Sequence, residues 1–333
     1  MKREKEDLFP ALLVGLMANV FLRGQTSYWV RPGILLAPIS MAVLAATAFL
    51  FAKCWRDDIC GILRWAFAAL LAFGSALELL RLWQLFDSIY ANSVTLLGVC
   101  FTVLVPVIYL RRVSSIAQTS NVVFWMLVLA AILLVISVID RLRVVNLQTV
   151  IVDETVFGET ITGQLTLYPE LLLPALWASS RSKKIRNPAR LSIAVVGLDV
   201  AIHLLLELFF GAAMPGRSNP VHTAAQTGAL SVFNRLEWLQ LVLWSAAVSV
   251  KLALYLYAAV RLVGGNTGKT ENNAVGLDRF PLYFVVMLLL CAWLGKVDLG
   301  DALVWHNVAC WIFAGVVVMG GMLRCLFPKP NSV

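Results

Sequence analysis

Charge is what this sequence is shortest of. Lys, Arg, Asp and Glu make up only 14% of its 333 residues, against roughly 25% in a soluble domain. That deficit excludes an ordinary water-facing surface over most of the chain. Cysteine pairing motifs are also missing. Cys54, Cys60, Cys100, Cys291, Cys310 and Cys325 include no C-x-x-C pair and mostly sit in or beside apolar runs, so they read as small buried hydrophobes and not as a disulfide or zinc framework. No nucleophile–base pair and no cofactor motif is found, which argues against an enzyme and gives no cofactor. Gly264–Thr270 resembles a phosphate loop only superficially: G-x-x-x-G-K-T has the wrong spacing and follows an apolar helix, not a strand.

What fills the chain instead is apolar. Hydrophobic residues reach 60% and mean hydropathy is +0.83, the composition of a polytopic, all-α membrane protein with no soluble domain. The net charge of +8 would suggest nucleic acid in a soluble chain. Here it reads as cytoplasmic loops held at an anionic leaflet, so the bilayer is the implied partner and nucleic acid is not.

The apolar runs predict ten spans. The first, Leu8–Leu22, mimics a signal peptide but has no small-x-small cleavage site after it. It reads as a short or interrupted membrane helix with Gly15 and Asn19 as break points, or as a plain helix with one polar residue turned inward. Further spans are expected at Trp29–Ala52, 61–86, Val94–Leu110 and Val122–Ile139. Glu78 and Arg81, three apart near the end of the third, read as an interfacial ion pair. Asp140–Thr166 is the longest polar interval, about 27 residues with Asp153, Glu154 and Glu159, and a loop of that length is usually functional or a lid. It leads into Leu167–Trp177, where Pro169 and Pro174 remove backbone donors from a run too short to span as one ideal helix. Interrupted helices of this kind build substrate sites in transporters. Glu170 is accordingly a candidate site residue, or else an interfacial or core-paired carboxylate.

Arg181–Arg190 is the strongest basic run, a solvated cytoplasmic loop under the positive-inside rule. The seventh span, Leu191–Ala213, carries Asp199, His203 and Glu207 at i, i+4 and i+8. That stripe could link to protons, face a partner, or be satisfied by internal packing; a metal site would want more ligands. The ninth and tenth spans are Phe280–Leu294 and Ala302–Leu323. Alternating the loops puts about 17 of the 27 Lys and Arg on the side of the N-terminus and about 8 opposite, which favours both termini in the cytoplasm. Ten spans interrupted near the first and sixth are what a LeuT-like five-plus-five inverted repeat gives, with residues 1–333 as a single permease-like domain.

The eighth span organises the rest. Asn234–Arg261 carries one mid-span ionisable residue, Lys251, and a charge at that depth costs about 2.5–3.5 kcal/mol on insertion scales. Steps of seven, seven and four place Glu237, Trp244, Lys251 and Tyr255 on one helical face. Lys251 is read either as pointing into the bundle, in place of a coupling cation and against the first and fifth helices, or as snorkelling or pairing with a carboxylate such as Glu207.

Arg-x-Glu at Arg235–Glu237, then Trp244, Lys251 and Tyr255-Leu256-Tyr257, resembles the eighth helix of the GerAB-type spore germination proteins. These are membrane B subunits of germinant receptors, similar to permeases of the amino acid–polyamine–organocation superfamily. Tyr109–Ala117 resembles their Tyr-x-x-Arg-Lys/Arg-Gly-x-x-x-Ile-Ala-Arg loop, with Ser114 near the usual glycine and Gln118 where arginine is favoured. Tyr168-Pro169-Glu170-Leu171 resembles the Phe-Gly-Glu-Leu that opens their sixth helix, with proline for glycine.

The resemblance implies a subunit of the spore inner membrane that binds a small nutrient such as an amino acid and signals germination beside A- and C-type partner subunits. The alternatives are an active secondary transporter of amino acids or related solutes, or a divergent paralogue whose site has decayed. The ligand is expected between the first helix (Asn19), the Tyr168–Pro174 break (Tyr168, Glu170) and the central helix (Trp244, Lys251, Tyr255). Lys251, Asp199, His203 and Glu207 are the candidate coupling residues.

Overall fold

A computed structural model describes residues 8–21, 30–55, 61–90, 94–148, 154–177, 188–214, 219–228, 237–263 and 280–326. Among them there are helices and turns and no β-strand. In chain order the helices are α1 (Phe9–Phe21), α2 (Val30–Cys54), α3 (Gly61–Ile89), α4 (Leu96–Tyr109), α5 (Val113–Val138), α6 (Glu154–Gln164), α7 (Pro169–Leu172), α8 (Pro188–Phe210), α9 (Pro220–Thr227), α10 (Glu237–Val263), α11 (Phe280–Leu294) and α12 (Leu299–Leu326).

Six of them, α2, α3, α5, α8, α10 and α12, are long and apolar enough to cross a membrane. α1, α4 and α11 are shorter apolar helices. Local chemistry sets many of the ends. Pro169, Pro188 and Pro220 each open a helix, where a missing N–H costs nothing and φ is already helical. The Thr95 hydroxyl caps α4 by accepting the Gly98 N–H at 3.2 Å. Lys53, Arg261 and Arg324 occupy last turns, complementing the carbonyl end of the helix dipole.

α10 is the axis. In its most apolar stretch 78% of residues are buried, against 17% for α5. It packs on α1, α3, α4 and α5, and its buried small residues Ala247, Ala253, Ala258 and Ala259 let those backbones approach closely. The Ser249 hydroxyl also donates to the Val103 carbonyl of α4. The outer helices face away from this axis with apolar stripes. On α5 the stripe is Val122, Trp125, Leu129, Ile132 and Ile136, all exposed at steps of three and four. Such a face fits lipid, whose tails are as apolar as the side chains.

One open alternative is decided and two expectations need correction. α1 is the plain short helix with its polar residue turned inward, and not a broken first helix: it runs through Gly15 and Asn19, both buried. Their roles lie in packing and hydrogen bonding described below. Asp140–Thr166 is not one long loop. It contains short 3-10 turns at Ile139–Arg141 and Val144–Gln148 and the helix α6. α6 is too polar to be seen in hydropathy, and it holds because it docks on α2. The Gln164 amide donates to the Gly33 carbonyl at 2.8 Å and accepts from the Ser40 hydroxyl at 3.1 Å. Finally, Tyr109–Ala117 is mostly helical: α4 ends at Tyr109 and α5 starts at Val113, nine residues before the expected Val122.

The interruption near the sixth span is present, one turn earlier than the prolines suggested. α6 stops at Gln164, residues 166–168 are not helical, with Tyr168 extended, and α7 begins at Pro169. α7 passes directly into a 3-10 turn at Leu173–Trp177, because Pro174 has no N–H for the Glu170 carbonyl four residues before it. Arg181–Asn187 of the basic run, Gly264–Thr270 and Arg235 lie outside the described residues, as does the side chain of Glu237.

Candidate functional site

Four helices meet at one ammonium. Lys251 projects from the middle of α10 and is 2% exposed. Its Nζ donates to Glu78 Oε1 of α3 at 2.8 Å and lies 3.3 Å from Glu170 Oε1 of α7. It also donates to Asn19 Oδ1 of α1. The face of Tyr255, one turn along α10, completes the surround with its ring centroid 5.4 Å from Nζ.

The partners are tied to one another. Asn19 Nδ2 donates to Glu170 Oε1 at 3.2 Å, so the single amide bridges cation and anion. Arg81 reaches back one turn along α3 to Glu78 Oε1 at 3.0 Å. Two carboxylates thus face two cations, and the group is neutral when all four are ionised. That balance matters, because a buried charge is tolerable only when paired and hydrogen-bonded. One oxygen on each side is left over: Glu78 Oε2 and Glu170 Oε2 are buried without a hydrogen-bond partner.

Two glycines make the approach possible. A Cβ on Gly15 would stand 2.9 Å from Glu170 Oε1 and 3.1 Å from its Cγ. Only glycine lets α7 place that carboxylate flat against α1. On α3, a Cβ on Gly74 would meet His306 Nε2 at 3.1 Å and Tyr255 Cε2 at 3.2 Å, so Gly74 is where α3, α10 and α12 close up.

Beside this cluster is a cavity of about 560 Å3, within the range of small-molecule sites, roughly 300–1,000 Å3. Asn19, Glu78, Arg81, Lys251 and Tyr255 form one wall, Gly158 to Pro169 of α6 and the helix break a second, and Leu303 to Asn307 of α12 a third. The break is held from two directions. Asn307 Oδ1 accepts the Leu167 N–H at 2.8 Å, and Trp311 Nε1 donates to the Leu165 carbonyl at 2.9 Å. These bonds satisfy backbone groups released by the interruption, as a nonhelical segment at membrane depth requires. His306 stacks on Phe73 with centroids 5.5 Å apart, and its Nε2 lies 3.3 Å from the Leu70 carbonyl.

The structure therefore brings together four of the six residues expected at the ligand, Asn19, Glu170, Lys251 and Tyr255. Tyr168 joins them at the cavity wall, immediately before Pro169. Trp244 does not: it is buried two turns away, with its ring 6.0 Å from Phe21.

The α8 stripe is separate. His203 Nδ1 donates to the Asp199 carbonyl at 2.8 Å and lies 3.7 Å from Asp199 Oδ1. Glu207 Oε2 accepts the Val30 N–H at 2.7 Å, anchoring the first residue of α2. Glu207 is thus not the partner of Lys251; Glu78 and Glu170 are. The expected contact of Lys251 with the fifth helix is likewise replaced by contacts with α3 and α7.

His306 and Asn307 escaped the sequence reading; Glu78 and Arg81 do form the expected i,i+3 ion pair, at 3.0 Å, but at the cavity wall beside Lys251 and not at an interface. For Glu78 a signal existed: a carboxylate followed by a further eleven helical residues of α3 is inside its span, not at its end, and intramembrane carboxylates seek cations. No such signal marks Asn307, which matters only through a backbone N–H 140 positions away. Among the described residues no three His, Cys, Asp or Glu side chains converge as a metal site. Compared with known proteins, the chain matches no protein-family model and no curated protein.

Proposed function

We propose that this is a permease-like membrane protein of the GerAB type, which binds a small nutrient and signals, in place of carrying solute across. The observation that carries the reading is the buried Lys251–Glu78–Glu170–Asn19 cluster beside a cavity at an interrupted helix. Ionisable groups inside a membrane protein are costly and by default functional, and discontinuous helices supply the backbone groups that small polar ligands need.

In this reading the ligand is a small zwitterion such as an amino acid. Its ammonium meets Glu78, whose Oε2 is buried without a hydrogen-bond partner among the protein's own groups. Its carboxylate sits toward the helix break at Thr166–Tyr168. Lys251 takes the place of a coupling cation, so that the tie between α1, α3, α7 and α10 is permanent. The six long apolar helices, the three shorter ones and the interrupted segment make up ten spans of a LeuT-like five-plus-five repeat. Both termini face the cytoplasm, the membrane is the spore inner membrane, and A- and C-type subunits read the ligand-bound state.

The second reading is a secondary transporter, favoured by one feature: the cluster has the paired carboxylates and ammonium from which proton-linked carriers are built. Purified protein in proteoliposomes separates the two. Thermal stabilisation by an amino acid without uptake supports the receptor; robust uptake driven by an ion gradient establishes the transporter. No stabilisation by any amino acid removes both ligand assignments.

A further inference from the structure

A second, smaller cavity of about 40 Å3 opens between α1, α5, α9 and α10. Its walls are apolar, among them Phe21, Leu127, Leu134, Val221 and Trp244. One polar side chain enters it, Gln240 of α10, and both its Nε2 and its Oε1 are buried with no hydrogen-bond partner. A buried donor and acceptor of one amide are costly to leave unmet, so this amide is the group a ligand here would satisfy.

We propose that this pocket is a binding site for a small neutral molecule with one group that both donates and accepts, a hydroxyl or a primary amide, on a short alkyl chain. A single hydroxyl can take the Nε2–H and give to Oε1 together. Water could do the same, but a buried water makes about three hydrogen bonds, and the space is about three times what one water needs, roughly 10–15 Å3. Water bound at Gln240 would face apolar walls on its other sides. An alkyl chain covers those walls while its head satisfies the amide. Charged ligands are excluded, because no described ionised side chain lines the pocket. The site is distinct from the Lys251 cavity and does not rest on the nutrient-binding reading. Its occupant would press on the Phe21–Trp244 contact between α1 and α10.

The test is a matched pair of probes, 2-bromoethanol and bromoethane, soaked into crystals of the full chain and located by bromine anomalous scattering. In the wild type the alcohol should give a peak between Phe21 and Trp244 and bromoethane little or none. In Gln240→Leu, which fills the position with an apolar side chain, the alcohol peak should be lost or the preference reversed. Water alone in the wild-type pocket, an adventitious additive only (equal occupancy by both probes), or an alcohol peak that survives Gln240→Leu would each overturn the assignment.

Discussion

Lys251 Nζ lies 2.8 Å from Glu78 Oε1, a bond that joins α10, the most buried of the six long apolar helices, to α3 in the interior of the protein. With Glu170 of α7 and Asn19 of α1 on the same ammonium, the position of the interrupted segment is set by a charge and not by packing alone.

Removing that charge should therefore be felt in stability and in response. Lys251→Met takes the cation away from Glu170, which keeps the Asn19 amide, and leaves Glu78 with Arg81. Breaking a buried pair in this way costs about 3–5 kcal/mol. The double variant Lys251→Met/Glu170→Gln should recover part of the loss, since it also removes the stranded anion. Thermal melts of the four proteins in detergent give the cycle; strictly additive losses would mean that the two groups do not interact. Lys251→Arg should also perform badly, because a planar fork does not replace a compact ammonium among three acceptors. A methionine variant with full signalling or uptake would remove Lys251 from the mechanism.

Gly15→Ala tests the close approach of α1 and α7. Its methyl group would fall 2.9 Å from Glu170 Oε1, and that oxygen cannot swing aside without giving up Asn19 and Lys251. The expected cost is about 1–3 kcal/mol, the usual penalty of overpacking. Alanine at Gly197 of α8, where a Cβ meets nothing within 4 Å, is the control and should be near neutral. Equal melting temperatures for the two variants would contradict the geometry.

The helix break should loosen when its outside supports are cut. Asn307→Leu removes the acceptor of the Leu167 N–H, and Trp311→Phe the donor to the Leu165 carbonyl. Each should cost about 1 kcal/mol or somewhat more. Hydrogen exchange should rise at residues 165–168 before it rises in α10. Unchanged protection there would show that the break is held by other contacts.

Glu207→Ala should act on α2 and leave the Lys251 cluster alone. The substitution strands the Val30 N–H that Glu207 Oε2 accepts, a penalty of about 1–3 kcal/mol for a buried donor. Faster exchange at the start of α2, with ligand stabilisation retained, is the expected result. Loss of ligand stabilisation at normal membrane level would tie the α8 stripe to the site after all.

The orientation is tested by cysteine labelling. With both termini inside, Ser182→Cys and Asn331→Cys should react only from the cytoplasmic side and Ser218→Cys only from outside. Labelling of position 182 from outside would invert the proposal.

Hydropathy alone placed the apolar helices, because burial in lipid or in a membrane core selects the same side chains and the helix is the one element that satisfies its own backbone there. Phe280–Leu294 is observed with the expected bounds, and α10 begins and ends within three residues of Asn234–Arg261. Depth also singled out Lys251, since a lone mid-span charge is legible in one dimension. Its pairings were not. Asn19, Glu78 and Glu170 are separated from it by up to 232 positions, and only the packing of α1, α3 and α7 around α10 decides that Glu78 and not Glu207 receives the ammonium. The same holds for α6, whose polar face carries no hydropathy signal and whose anchor, Gln164 on Gly33, exists only across α2. Trp244 shows the converse: helical periodicity put it on the Lys251 face, but two turns of rise carry it past the site to Phe21, because a shared face fixes direction and not depth.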